Sequence, residues 1–188
     1  MAQKNNLRLG EQIWTKMPKV NAELLTLTYG SFIMQLIKDY EDVNQVNEQL
    51  ERIGNNIGVR LIDEFLAKSG VSNCSNFKET ADIISKVAFK MFLGIIPAVT
   101  SWNKEENAFS LIFNDNPLVD FVELPPQYQN LQYCNILCGV VKGALEMVQL
   151  QVVCTFVKDI LKGDDVTEMR VELKGLVKNE MSEEYQED

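Results

Sequence analysis

The chain has 188 residues, and its 18 lysines and arginines stand against 27 acidic residues, a formal net charge of −9. A chain of this length buries roughly 70% of its unfolded surface and needs no disulfide or metal to fold; its 46% hydrophobic and 24% charged content excludes disordered and collagen-like classes. The acidic balance repels phosphates and argues against nucleic acid as a partner, and the lack of any histidine removes Ser-His-Asp and Cys-His catalysis and His-ligated zinc together.

Residues 1–19 show little periodicity and are expected to form a flexible arm. From Val20 the pattern turns helical, with Leu25, Tyr29, Phe32, Ile33, Leu36, Ile37 and Tyr40 on one stripe and Asn21 as its cap. A longer helix follows, marked by Val43, Val46, Leu50, Ile53, Ile57, Leu61 and Phe65 and stopped by Ser69-Gly70. Gly54 and Gly58 lie inside it at a four-residue spacing, which points to close packing against a neighbour. Asn76 and Glu79 form a capping-box start to a third helix. Its apolar side is Ile84, Val87, Ala88, Met91 and Phe92, and Gly94 is its stop.

The period then changes. Two strands are expected over Ile95–Trp102 and Ala108–Phe113, joined by a polar turn. The proline-containing stretch 114–126 is a connection with a short apolar anchor at Leu118–Leu124. A fourth helix is expected over about Leu131–Gln149, again with paired glycines, Gly139 and Gly143. The last two strands carry the clearest alternation. Leu150, Val152, Cys154 and Phe156 share one face of the first, and Met169, Val171 and Leu173 share one face of the second. Residues 179–188 form an acidic tail with Glu180, Glu183, Glu184, Glu187 and Asp188. The fold class is α+β, with four helices packed on one face of a four-stranded antiparallel sheet. The expected organisation is an arm at 1–19, a single domain at 20–178 and the tail at 179–188.

The four cysteines, Cys74, Cys134, Cys138 and Cys154, contain no C-x-x-C pair, so no metal site is expected. Cys134 and Cys138 share a helix face and Cys154 a strand face, and all three read as buried structural thiols. No secretory leader, spanning segment or lipidation box is visible, and the expected setting is cytoplasmic with free thiols. No phosphate-binding loop is present, so no nucleotide is expected to bind the chain alone.

Several blocks now carry a resemblance. They are Glu-Leu-Leu-Thr-Leu-Thr-Tyr-Gly at 23–30, Asn-Ile-Gly-Val-Arg-Leu-Ile-Asp-Glu-Phe-Leu-Ala at 56–67, and Phe-Lys-Glu-Thr-Ala-Asp at 77–82 with Lys-Val-Ala-Phe-Lys-Met-Phe-Leu-Gly at 86–94. Asn-Pro-Leu-Val-Asp-Phe-Val-Glu-Leu-Pro at 116–125 and Gly-Ala-Leu-Glu-Met-Val-Gln at 143–149 complete the set. In this order and spacing they closely resemble the subunit 3 family of the transport protein particle, the TRAPP tethering complex, from about Val20 to Leu173. The resemblance implies an α/β-plait scaffold that pairs with other TRAPP subunits, with a homodimer as the form taken alone. It implies vesicle tethering in ER-to-Golgi transport and nucleotide exchange on a Rab-family GTPase through the assembled complex. It also implies a cytoplasmic protein held peripherally at Golgi and ER-Golgi membranes, and not an enzyme.

One site follows from the resemblance. A cysteine in the loop before the third helix carries a palmitoyl chain in an apolar tunnel, and the matching position is Cys74. No other cofactor is implied. Read without the family, a lone loop cysteine is an exposed thiol. Its place before a helix N-terminus nevertheless favours thiolate. Ala88 reads either as a helix-packing alanine or as the small residue that keeps the tunnel open, with Ile84 and Met91 as further lining candidates. In the tail, the resemblance places Glu183 and Glu184 near the GTPase nucleotide site, although this tail is longer than the family's and lacks its usual proline. Two rival readings stay open: an acyl-carrying or acyl-transferring enzyme with Cys74 as nucleophile, and an independent homodimeric binding module.

Overall fold

A computed structural model describes residues 2–71 and 74–177. Four strands, β1 (Ala98–Thr100), β2 (Ala108–Phe113), β3 (Leu150–Lys158) and β4 (Thr167–Leu176), form one antiparallel sheet in the order β1-β2-β4-β3. The alternation read from the sequence sets its register. Cys154 and Phe109 both sit opposite Val171, and Leu111 sits opposite Met169. Phe109, Leu111, Met169 and Val171 are fully buried, so one sheet face supplies the floor of the main core. β1 is shorter than expected because Pro97 has no N–H to give to a ladder; its carbonyl accepts from the Ser85 hydroxyl.

The helices are α1 (Ala2–Lys16), α2 (Ala22–Tyr40), α3 (Val43–Ser69), α4 (Phe77–Ile83), α5 (Phe89–Leu93) and α6 (Asn135–Met147). The caps read from the sequence are in place. Asn21 accepts from the Leu24 N–H at 2.8 Å, and Asn76 accepts from the Glu79 N–H at 2.9 Å. Glu79 reaches back to the Ser75 N–H at 2.6 Å. Gly70 and Gly94 close their helices in the left-handed region, at φ 64° and 76°. α4 and α5 are one rod joined by a π-helical turn over Ile84–Ala88, where i→i+5 bonding inserts a residue into the helical phase.

The expected arm at 1–19 is corrected by α1. Its packing is specific. A Cβ on Gly10 would lie 2.0 Å from the Lys86 carbonyl oxygen, so the bare glycine backbone sits directly on the π turn. Ile13 is buried with Val87 and Met91 in a second, smaller core. Asn6 donates to Asp82 at 2.9 Å, and Glu11 pairs with Lys90 at 3.0 Å. The described residues thus carry one helical rod more than the expected four.

α3 and α6 run parallel and touch backbone to backbone. A Cβ on Gly54 would meet the Ile136 carbonyl oxygen at 2.0 Å, and one on Gly58 would meet that of Val140 at 2.2 Å. From the other side, Gly139 faces the Glu51 carbonyl oxygen at 2.0 Å and Gly143 that of Asn55 at 2.2 Å. The two glycine pairs therefore serve a single crossing. Asn47 of α3 locks its lower end. It accepts from the Gln132 N–H at 2.8 Å and donates to the Asn130 carbonyl at 3.0 Å, and its own carbonyl accepts from Asn135 at 2.8 Å.

Candidate functional site

The helices do not fill the space between them. An apolar cavity of about 720 Å³ runs among the helices and reaches Leu150 and Leu173 of the sheet. Native interiors hold few voids larger than a water molecule, and this volume falls in the range of sites built for a ligand. Among the described residues its lining contains no charged side chain; the polar ones are Tyr29, Ser75, Asn76, Thr80 and Gln149.

Three rods make the walls. α3 contributes from Ile57 to Leu66, α6 and its C-terminal cap from Ile136 to Val148, and the α4–π–α5 rod from Phe77 to Leu93. Cys74 lies just after the C-terminus of α3, and α3 and α6 are parallel, so Cys74 sits at the Val148 end. The other end lies at the start of α6, where Tyr29 packs edge-on against Tyr133 at 5.2 Å and its hydroxyl donates to the Tyr133 carbonyl. The long space is thus a channel with one thiol at one end.

Cys74, Ile84 and Ala88 line this channel together. Met91 does not. It is 1% exposed and packs with Ile13, Ile62 and Val87 in the smaller core. The expectation for Met91 assumed unbroken α-helical phase from Ile84; the π turn rotates the rod after Ala88, and Phe89, Phe92 and Leu93 face the channel instead. Glu183 and Glu184, with the rest of the tail, lie outside the described residues. Sequence reasoning missed the α3 and α6 walls, although Phe65, Leu137, Val141 and Leu145 were visible as apolar stripe positions.

Cys74 is half-buried. Desolvation raises its thiol above the ordinary cysteine range, the Thr80 hydroxyl pulls it partly back, and the Glu79 charge raises it further. Burial and the neighbouring carboxylate thus act against the thiolate that the place before a helix N-terminus was expected to favour. Cys134, Cys138 and Cys154 are buried, as their positions on apolar faces predicted. Burial pushes Cys134 and Cys154 up to about 12 and Cys138 well above its usual range.

These raised thiols predict alkaline weakening. A group whose folded pKa is raised contributes stability that is complete below its unfolded pKa, about 8.5 for cysteine, and is lost as pH rises toward the folded value. The Tm in reducing buffer should be flat from pH 7 to 8 and fall between pH 9 and 12. A Cys138→Ala/Cys154→Ala variant should show a shallower fall, and native thiol titration at pH 7.5 of unmodified chain should modify Cys74 alone.

Among the described residues, no helix is long and apolar enough to cross a membrane, and no group of three His, Cys, Asp or Glu is placed to hold a metal. The fold and site define a mixed α/β domain around a channel that, among the described residues, is lined without charge and has a thiol at one end. Known proteins resemble the chain in sequence and fold. A family model described as "Transport protein particle (TRAPP) component" matches residues 25–172. The "Trafficking protein particle complex subunit 3" of Dictyostelium discoideum is 57% identical over 168 residues, covering 89% of this chain and 90% of that protein. The "Trafficking protein particle complex subunit BET3" of Saccharomyces cerevisiae is 52% identical over 176 residues, covering 92% and 91%. A crystal structure of subunit 3 from Naegleria fowleri, described as covalently bound to palmitic acid, superposes with a TM-score of 0.82 at 53% identity, covering 86% of this chain and all of that one. The chain belongs to the TRAPP component family, and within it to the subunit 3 branch.

Proposed function

We propose that this chain is a non-enzymatic core scaffold subunit of a TRAPP-type vesicle-tethering complex, and that Cys74 carries a palmitoyl chain buried in the channel. In this reading the chain pairs with sister TRAPP subunits and forms a homodimer when alone. The assembly exchanges nucleotide on a Rab-family GTPase in ER-to-Golgi transport while held peripherally at Golgi and ER-Golgi membranes. Family membership supports the assembly. The observation that carries the acyl group is the apolar channel that starts at Cys74 and, among the described residues, is lined by no charged side chain.

The chemistry is a thioester exchange. The Cys74 sulfur attacks the carbonyl carbon of an acyl thioester, the new carbon–sulfur bond forms as the old one breaks, and the leaving thiol takes the proton given up by Cys74. Burial disfavours the thiolate that this attack uses, and the chain has no imidazole to speed the attack or its reversal. That combination suits a stable adduct better than turnover.

The test is purification of the tagged chain from eukaryotic cells under mild conditions, followed by intact mass and identification of co-purifying chains. The expected result is a hydroxylamine-labile palmitoyl adduct, lost in Cys74→Ser, together with stoichiometric small subunits of the same α/β class. An unmodified chain would overturn the acyl reading, and recovery without sister subunits would overturn the scaffold reading.

A further inference from the structure

We propose that Thr80 is a positioning residue for Cys74: its buried hydroxyl orients the sulfur and stabilises the thiolate through which the acyl thioester exchanges. The proposal rests on the acyl reading of Cys74. Three of the polar residues on the channel lining, Ser75, Asn76 and Thr80, fall within six positions of Cys74, so the polar lining gathers at the end where bonds form and break. Asn76 caps α4, and Thr80 stands one turn in from it. Thr80 is 5% exposed. Its hydroxyl donates back to the Asn76 carbonyl at 3.2 Å, a common arrangement for a helical threonine. That bond uses the hydroxyl's one donor and leaves the oxygen's lone pairs. Cys74 is the second partner: the Thr80 hydroxyl hydrogen-bonds its side chain and pulls the thiol down against the burial that raises it.

The hydroxyl is a rotor, and its two settings match two states of the sulfur. Facing a thiol, it accepts the S–H while donating to Asn76. Facing a thiolate, it turns its hydrogen onto the sulfur, a charge-assisted bond about twice as strong as a neutral one. The Asn76 carbonyl still accepts from the Thr80 backbone N–H at 3.2 Å, so the rotation strands no acceptor. In the exchange the thiolate bonds to the acyl carbon of a long-chain acyl thioester and the old carbon–sulfur bond breaks. The released thiolate takes from solvent the proton that Cys74 gave up, and Thr80 ends as it began. Among the described residues, Glu79 is the charged group that acts on this sulfur, and it raises the thiol. The lysines of the last turn of α3 and of the α4–α5 rod, Lys68, Lys78, Lys86 and Lys90, are paired with Glu64, Glu106, Asp82 and Glu11. The Thr80 hydroxyl is thus the group that offsets burial at the sulfur. A hydrogen bond that raises the thiolate fraction about tenfold leaves a net rate gain of about threefold, because nucleophilicity falls with basicity.

The experiment takes the full chain from eukaryotic cells, strips it with hydroxylamine, and follows intact mass during two reactions of Cys74 between pH 6.5 and 9. One is acylation by palmitoyl-coenzyme A, and the other is alkylation by iodoacetamide. Wild type is compared with Thr80→Val, Thr80→Ser and Ser85→Ala, with circular dichroism to confirm folding. Ser85→Ala is the control, since it removes a buried hydroxyl from the same rod that bonds the Pro97 carbonyl instead. Thr80→Val should slow both reactions at least about threefold at pH 7, with the gap closing as pH rises. Thr80→Ser should restore the wild-type rates and pH profile, and Ser85→Ala should keep them. A folded Thr80→Val chain with the wild-type rates and profile would overturn the proposal, as would equal slowing in Ser85→Ala. If Thr80→Val fails to fold, Thr80→Ala decides in its place. A wild-type chain that takes no acyl group in cells or from palmitoyl-coenzyme A would instead overturn the acyl reading, and the alkylation profiles would still decide the role of Thr80.

Discussion

Gly139→Ala is expected to destabilise the chain by about 2 kcal/mol or more, lowering the Tm by roughly 5–10 °C. Ordinarily this change in a helix interior stabilises by up to about 1 kcal/mol through propensity. Here the new methyl would lie 2.0 Å from the Glu51 carbonyl oxygen and 2.7 Å from the Asn55 nitrogen. Both are backbone atoms of α3, so no side chain can rotate out of the way. The helices must separate, and Gly54, Gly58 and Gly143 lose their contacts with them. Overpacking of this kind costs about 1–3 kcal/mol and occasionally more. Gly175→Ala is the internal control: nothing lies within 4 Å of its Cβ position, and it should change stability by less than about 0.5 kcal/mol. Thermal unfolding of the two variants decides between a structural crossing and incidental glycine. Equal Tm values would remove the argument.

The second large effect is expected from Ala88→Leu in chain purified from eukaryotic cells. Burying an acyl chain contributes about 0.8 kcal/mol per methylene, on the order of 10 kcal/mol for a palmitoyl group before the entropy of ordering it is subtracted. Loss of even a third of that would lower the Tm of a chain this size by roughly 10 °C. Ala88 lies on the π turn and lines the channel, so a leucine there is expected to fill the bore. The variant should lose its palmitoyl adduct and melt with Cys74→Ser. Its far-ultraviolet circular dichroism should match wild type, and its Tm should match that of wild type stripped by hydroxylamine. An Ala88→Leu chain that keeps the full palmitoyl mass would show that the acyl group lies elsewhere.

Both effects rest on features with uneven traces in the sequence. The stripes of α2, α3 and α6, the Asn21 and Asn76 caps and the alternation of β3 and β4 are local patterns. They depend on residues within one or two turns of each other, and all are found in place. α1 left a weak pattern because few of its residues are apolar and its mid-helix Gly10 reads as a breaker; that glycine is there for the Lys86 carbonyl, 76 positions away. The π turn carries no periodic mark at all, and the misplacement of Met91 follows from it.

The same division applies to the site. Ala88 was reachable through a block that marks the family, Cys74 through its place in the loop before the third helix and Ile84 through its helical spacing from Ala88, whereas the walls supplied by α3 and α6 required the parallel packing of two helices separated by 65 residues of chain. The upward shift of the Cys74 thiol also depended on packing. Sequence position placed it before a helix N-terminus, whereas desolvation and Glu79, which raise it, act through space. Composition, periodicity and caps were enough to establish an acidic α+β domain without imidazole chemistry, because those properties are set residue by residue and turn by turn. The channel and its apolar lining arise from contacts between segments distant in the chain, and such contacts exist only once the helices have packed.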